Sequence, residues 1–243
     1  EAAGVRAEIF VVNNLTAEGV SRSVEAFAKK IGESNIVFIP GGFSGGDEPD
    51  GSGKFITAFF RNAAVKEAVE NLLDRRDGLM GGICNGFQAL VKMGLVPYGK
   101  ILDADETMPT LTFNDIGRHQ SRLGNVRVAS NRPPWFKNTE VGEIYTVPIS
   151  HGEGKFVADA ATLMRLGRKG QIATQYVDLE GLPSMDADFN PAGSLYAVEG
   201  ITSPDGRVFG KMGHSERKGK NLYKNVPGRF DMKLFESAAE YFK

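Results

Sequence analysis

Leu79-Met80-Gly81-Gly82-Ile83-Cys84-Asn85-Gly86-Phe87-Gln88-Ala89-Leu90 holds the only cysteine of the chain, and the character of the sequence changes across it. An apolar, strand-like run leads in and a helix-like run leads out. Gly82-Ile83-Cys84-Asn85-Gly86 is a G-x-C-x-G sequence, the sulfur counterpart of the nucleophile elbow, in which a nucleophile stands on a sharp strand-to-helix turn. Glycines suit the flanks because the bent backbone leaves no room for side chains. The turn places Cys84 at a helix N-terminus, where free amide hydrogens and the helix dipole favour a thiolate and lower its pKa. The same amides can stabilise an oxyanion. The competing reading is a small buried apolar residue, the usual fate of a free cysteine; the paired glycines and the strand-to-helix switch weigh against it.

Working outward, the first half alternates strands and helices. Glu1-Ala2-Ala3-Gly4 reads as the last turn of a helix stopped at Gly4, so that the chain begins mid-element. Ala7 to Val12 reads as a strand. Val20, Val24, Phe27, Ala28 and Ile31 recur at the intervals of one helical face. Asn35 to Pro40 is a short apolar run of the kind a buried parallel strand needs, and the glycine-rich loop Gly41-Gly42-Phe43-Ser44-Gly45-Gly46-Asp47 follows it. A strand followed by such a loop is where α/β sheets place ligands. The loop lacks the G-K-[ST] ending and the G-x-G-x-x-G spacing of phosphate-binding loops, so amides turned toward a neighbouring strand end are the better reading. Lys54 to Asp74 is predicted as one long amphipathic helix, and Gln88 to Met93 as another.

Beyond Met93 the sequence becomes strand-rich, with Thr110 to Phe113, Arg122 to Ala129, Gly142 to Ile149 and Ile172 to Val177 joined by turns rather than amphipathic helices. Phe230 to Phe242 closes the chain as a helix. No Pro/Gly/Ser linker divides the 243 residues, which predicts one α/β domain over 1–243. Its sheet is expected to be mixed, mostly parallel, open and flanked by helices, with antiparallel additions in the second half.

Composition narrows the function. With 29 basic and 30 acidic residues the net charge is -1, which removes the electrostatic case for nucleic acid or an anionic membrane. A single cysteine makes no internal disulfide, no window approaches a membrane span and no signal peptide opens the chain, so a cytoplasmic protein is expected.

A cysteine nucleophile needs a base, and the base needs an orienting group. Of three histidines, His119 stands in Arg118-His119-Gln120, and the others form two H-x-E pairs, His151-Gly152-Glu153 and His214-Ser215-Glu216. In extended chain, residues two apart point the same way, so either pair presents imidazole and carboxylate together. Four such ligands would also suit zinc or iron, although a metal site would leave Cys84 without a partner. Spacing alone does not say which histidine serves Cys84.

Four motifs in order carry a resemblance. Pro40 to Asp47, Gly82 to Gln88, His151-Gly152-Glu153-Gly154-Lys155-Phe156 and Met212-Gly213-His214-Ser215-Glu216-Arg217 resemble the triad-class (class I) glutamine amidotransferases, which have a flavodoxin-like fold. More narrowly, they are similar to the glutaminase part of phosphoribosylformylglycinamidine synthase, a purine-biosynthetic enzyme. The likeness runs from about residue 7 to about residue 230 and includes Asn114-Asp115-Ile116-Gly117-Arg118. It implies that Cys84 attacks the glutamine side-chain amide, that His214 is general base and then acid, and that Glu216 orients His214. Gly42 and Asn85 would form the oxyanion hole, and Gln88, His151, Gly152 and Glu153 would line the glutamine pocket. The resemblance implies no metal or cofactor in this chain, and ATP and Mg²⁺ in a synthase domain or subunit that receives the ammonia. Many relatives read M-P-H-P-E-R where this chain has Met212 to Arg217, which predicts a less rigid turn. The family also has a first strand and loop ahead of the helix that ends at Gly4, both lacking here; it occurs as a free subunit and as the end of a long single chain, and the missing front favours the C-terminal part of the long form over the free subunit. The alternatives are another cysteine-elbow hydrolase or peptidase, or a catalytically inactive partner-binding module.

Overall fold

Helix α1 (Ala17–Glu33) is stopped and started by its own sequence. The Thr16 hydroxyl accepts from the Gly19 amide at 3.0 Å, Glu18 stands in the first turn and Lys30 in the last, each charge complementing the helix dipole. The computed structural model describes residues 2–42 and 53–243. After α1 come β1 (Ile36–Ile39), α2 (Lys54–Phe60), α3 (Ala63–Glu70) and β2 (Leu79–Ile83), then α4 (Asn85–Met93) and the short α5 (Leu95–Tyr98). The second half contributes β3 (Thr110–Thr112), β4 (Gln120–Val128), β5 (Ile144–His151), β6 (Lys155–Val157), α6 (Ala160–Arg168), β7 (Ile172–Tyr176), β8 (Val198–Thr202), β9 (Val208–Lys211) and α7 (Leu234–Glu240).

Among the described residues seven strands form one mixed sheet in the order β1-β2-β9-β8-β7-β4-β5, and β3 pairs with β6 separately. The pairs β1/β2 and β2/β9 are parallel, while β9/β8, β8/β7, β7/β4 and β4/β5 are antiparallel. The parallel part is thus confined to three strands, a smaller share than the sequence suggests, but it is the part that carries the chemistry. Both faces of β2 are buried. Met80 and Val208 join the core shared with α1, α3 and α4, and Leu79 and Phe209 join a second core with Trp135, Phe136, Leu234 and Ala238. Alternate side chains of one strand serve opposite layers, which fixes the register of β2 and β9.

Four sequence expectations change. The helix predicted over Lys54 to Asp74 is broken at Arg61-Asn62, because the Asn62 side chain accepts from the Ala64 amide at 3.1 Å and caps a new helix, α3, which ends in a π-turn over Asn71–Arg75. Between the later strands lies an amphipathic helix after all: α6 starts at an Asp159 cap and buries Leu163 and Leu166. The closing helix begins only at Leu234, after Lys233 takes a left-handed φ of 51°. Ala7 to Val12 forms no strand; Phe10 packs on Phe27 with centroids 4.9 Å apart, and Ile9 and Val11 stay 94% and 78% exposed. Among the described residues β1 pairs only with β2. Of the glycine-rich loop, residues 43–52 lie outside the described part.

Candidate active site

Three neighbouring parallel strands end at one edge of the sheet, and each delivers a piece of the site: Gly41 and Gly42 follow β1, Cys84 follows β2, and Met212 to Glu216 follow β9. The crevice beyond the carboxyl ends of parallel strands is where such sheets bind ligands.

The elbow at Cys84 is built by contact distances. A Cβ on Gly82 would lie 2.7 Å from the Gly86 carbonyl carbon, and a Cβ on Gly86 would lie 2.1 Å from the Ile39 carbonyl oxygen. Only hydrogen fits at either place. Cys84 itself sits at φ 53° and ψ -110°, a conformation that a residue with a Cβ adopts only when its surroundings over-determine it. Here its amide is held by the Lys211 carbonyl at 2.9 Å and its carbonyl by the Gln88 amide at 3.0 Å. No side chain caps α4, and the amides of Asn85 and Gly42 lie near enough to the Cys84 sulfur to favour its thiolate. Gly42 reaches that orientation at φ 149°, open to glycine and to few other residues. The two donors expected to form an oxyanion hole are therefore brought to the sulfur.

The thiol is not a resting thiolate. Burial pushes its pKa up to about 11, and the Asn85 amide, the Arg217 charge and the Gly42 amide recover only part of that shift. The sequence expectation of a lowered pKa considered the helix terminus and left out desolvation, which is the larger effect here. Consistently, Sγ lies 3.6 Å from the Ser150 carbonyl as a donor.

His214 is the histidine beside Cys84. A Cβ built on Gly41 would stand 2.6 Å from His214 Cε1 and 3.1 Å from Cys84 Cβ, so both side chains press on the same α-carbon. His214 Nδ1 meets Glu216 Oε1 at 2.6 Å. A carboxylate only accepts, so Nδ1 carries a proton. Nε2 is buried and has no hydrogen-bond partner among the described residues. Burial pushes the Glu216 carboxyl up, but the hydrogen bond and charge of His214, with Arg217, outweigh it and hold the group below the usual carboxylate range. The result is a thiol, an imidazole whose Nδ1 is held by Glu216 and whose Nε2 has no partner among the described residues, and a carboxylate behind it.

His151 is placed differently. Its Nδ1 donates to Asn114 Oδ1 at 3.1 Å, and the Gly154 amide donates to the same oxygen at 3.0 Å. Asn114 Nδ2 faces the carbonyls of Arg118 and His151, which fixes the amide's orientation and hence the tautomer of His151. Burial, then the charges of His119 and His214, push the His151 pKa down to about 3, so its ring is neutral. Gln88 Nε2 donates to the Glu153 carbonyl at 2.5 Å and the Asn114 amide donates to the Gly152 carbonyl at 2.9 Å. Gln88, His151, Gly152 and Glu153 are thereby gathered on one wall, next to Ser150, whose carbonyl touches the sulfur. Asn114, which organises that wall, and Gly41, on which the site turns, carry no role in the sequence reading, although both stand in the motifs that support it. His119 Nε2 lies 3.2 Å from Ser150 Oγ. Among the described residues no three His, Cys, Asp or Glu side chains gather as metal ligands, and no helix is long and apolar enough to cross a membrane.

A buried thiol on an elbow, a histidine with its carboxylate on the neighbouring strand end and amides beside the sulfur are the parts from which cysteine-nucleophile acyl-transfer sites are built. The chain belongs to the family of CobB/CobQ-like glutamine amidotransferase domains, which matches residues 1–242. Among curated relatives it is similar to phosphoribosylformylglycinamidine synthase subunit PurQ. The Treponema denticola protein is 37% identical over 89% of this chain and 80% of its own length. The Thermus thermophilus protein is 34% identical over 79% and 75%, and that of Methanococcus maripaludis 30% over 99% and 89%. A solved PurLQS structure from Thermotoga maritima superposes with TM-score 0.63 at 26% identity, covering 86% of this chain and 80% of that one. The glutaminase domain of Trypanosoma brucei CTPS, solved with bound acivicin, shares the fold at TM-score 0.51 and 16% identity, covering 98% and 83%.

Proposed function

We propose that this chain is the glutaminase of a phosphoribosylformylglycinamidine synthase. It hydrolyses glutamine and supplies ammonia for the ATP-dependent conversion of formylglycinamide ribonucleotide to formylglycinamidine ribonucleotide. The observation that carries the reading is the meeting of Cys84, His214 and Glu216 around Gly41 with the Gly42 and Asn85 amides on the sulfur. His214 Nε2 takes the thiol proton as Sγ bonds to the side-chain amide carbon of glutamine. The carbonyl oxygen becomes an oxyanion held by the Gly42 and Asn85 amides, each such donor being worth about 3 kcal/mol in acyl transfer generally. His214 returns the proton to the departing nitrogen, the C–N bond breaks, and a thioester and ammonia result. Water activated by His214 then cleaves the thioester to glutamate and free thiol.

Gln88, His151, Gly152 and Glu153 are assigned to the glutamine pocket, His151 as a fixed neutral wall and not as a base. ATP and Mg²⁺ are assigned to the synthase part, which is the partner that receives the ammonia. Residues 1–243 act as one glutaminase domain in a cytoplasmic pathway that involves neither nucleic acid nor membrane. The test is glutamate release from glutamine by the chain together with its synthase part, in wild type and Cys84→Ala. Release that requires Cys84 is expected. Release of equal rate without the sulfur, or hydrolysis of peptides and esters in place of glutamine, would overturn the reading.

A further inference from the structure

Two charged side chains lie fully buried behind the site and take no part in the chemistry above. Lys211 ends β9 and Glu199 lies in β8, each 0% exposed, with Lys211 Nζ 3.4 Å from Glu199 Oε1. Removing two charges from water is costly unless their attraction and hydrogen bonds offset it. Burial pulls the Lys211 amine below its usual range, opposed by the Glu199 and Glu216 charges.

Three contacts of this pair end on the turn that carries His214, and Lys211 Nζ also lies 3.4 Å from Met232 Sδ. Glu199 Oε1 accepts the Gly213 amide at 2.6 Å and the Glu199 carbonyl accepts the Met212 amide at 3.0 Å, while Oε2 is anchored by the Thr174 hydroxyl at 2.5 Å. Lys211 Nζ donates to Ser215 Oγ at 2.6 Å, and the Lys211 carbonyl holds the Cys84 amide at 2.9 Å. The residues immediately before and after the base are thus tied to the pair, and the nucleophile's backbone hangs on the same lysine. The positions gripped, Gly213 and Ser215, are those where the absence of proline predicts a looser turn. A proline at 213 would have no amide to give Glu199, and a Cβ there would lie 2.6 Å from Val147 Cγ2.

We infer that Glu199, Lys211 and Ser215 form a positioning unit for the catalytic base, holding the His214 imidazole over Gly41 at the distance from Cys84 that proton transfer needs. None of the three touches the reacting atoms. The inference rests on the proposed glutaminase reading, and misplacement of a catalytic group by about 1 Å is enough to cost on the order of a hundredfold in rate.

The test uses the chain with its synthase part and three variants: Ser215→Ala, Ser215→Thr, and the paired Glu199→Gln/Lys211→Met, which removes both charges together and avoids an orphaned one. Sites competent for a covalent glutamine analogue are titrated first, so that rates are expressed per folded site. Ser215→Ala and the paired variant are expected to lose about tenfold or more in kcat with KM within about twofold, and Ser215→Thr to recover most of the loss. In the same proteins, NMR cross-relaxation between the His214 Cε1 proton and the Gly41 α-protons is expected in wild type and weakened in Ser215→Ala. That readout needs no turnover, so an inactive wild type would count against the glutaminase reading while the cross-relaxation still decides the positioning. Unchanged kcat per site, a loss that Ser215→Thr does not recover, or cross-relaxation equal in wild type and Ser215→Ala would overturn it.

Discussion

The imidazole of His214 and the Cβ of Cys84 face each other across the α-carbon of Gly41, with a virtual Gly41 Cβ only 2.6 Å and 3.1 Å from them. Gly41→Ala places a methyl group in that gap. The ring is the softer neighbour and will be displaced from the sulfur. Glutaminase kcat is expected to fall about a hundredfold while thermal unfolding shifts little. Activity near the wild-type level would show that the base reaches Cys84 by another path.

Two kinds of reagent should divide on Cys84. A small alkylating agent that binds nowhere depends on ionisation by solvent alone, so its rate should climb toward an inflection near about 11. A glutamine analogue seated against His214 Nε2 should label at neutral pH, because the imidazole removes the proton locally. His214→Ala is expected to abolish the second behaviour and leave the first. Equal pH profiles for both reagents would contradict the desolvated thiol.

Asn114 closes four hydrogen bonds between the His151 strand end and the loop before it. Asn114→Ala leaves several buried partners unsatisfied, at roughly 1 to 3 kcal/mol each before relaxation. A loss of about 2 to 4 kcal/mol in denaturant unfolding is expected, together with a raised KM for glutamine. A variant as stable as wild type would mean that water replaces the amide at little cost.

His151 makes stability depend on acidity. Its folded pKa is about 3, below the unfolded value near 6.5, so below about pH 6.5 the unfolded chain binds the proton that the folded chain refuses. The stabilising contribution is complete above the unfolded pKa and is lost as pH falls from about 6.5 toward about 3, by up to about 1.4 kcal/mol per pH unit. Urea unfolding at pH 7 and pH 5 should show a steeper loss for wild type than for His151→Gln. Parallel slopes would mean that the ring is protonated in the folded state.

How much of this was legible in the sequence depended on whether the signal was local. The elbow was readable because its glycines and its cysteine stand within five residues, and β1 and β2 because a strand buried on both faces must be apolar throughout. The motif likeness picked out His214, which spacing alone left level with His151. The break at Asn62 stayed hidden because a continuous apolar stripe looks the same with or without a cap inside it. Helix α6 was missed because only Leu163 and Leu166 mark its apolar face among basic residues and a glycine, and β8 and β9 because glycines and charged residues interrupt them. Those same interruptions, Glu199 in Val198-Glu199-Gly200-Ile201 and Lys211 in Val208-Phe209-Gly210-Lys211, were the available sign of the buried pair. The thiol's raised pKa could not be read at all, since desolvation depends on what the rest of the chain packs around the sulfur.

The burial of that sulfur makes the chain its own gauge of opening. Cys84 is the only cysteine and is 6% exposed in the fold; once the elbow unravels it becomes an ordinary thiol, ionising near about 8.5. With no second cysteine to confuse the count, uptake of a neutral alkylating agent beyond the rate set by ionisation of the folded thiol records the fraction of molecules momentarily unfolded. The native population can thus be followed in dilute mixtures, without added denaturant and without an attached dye.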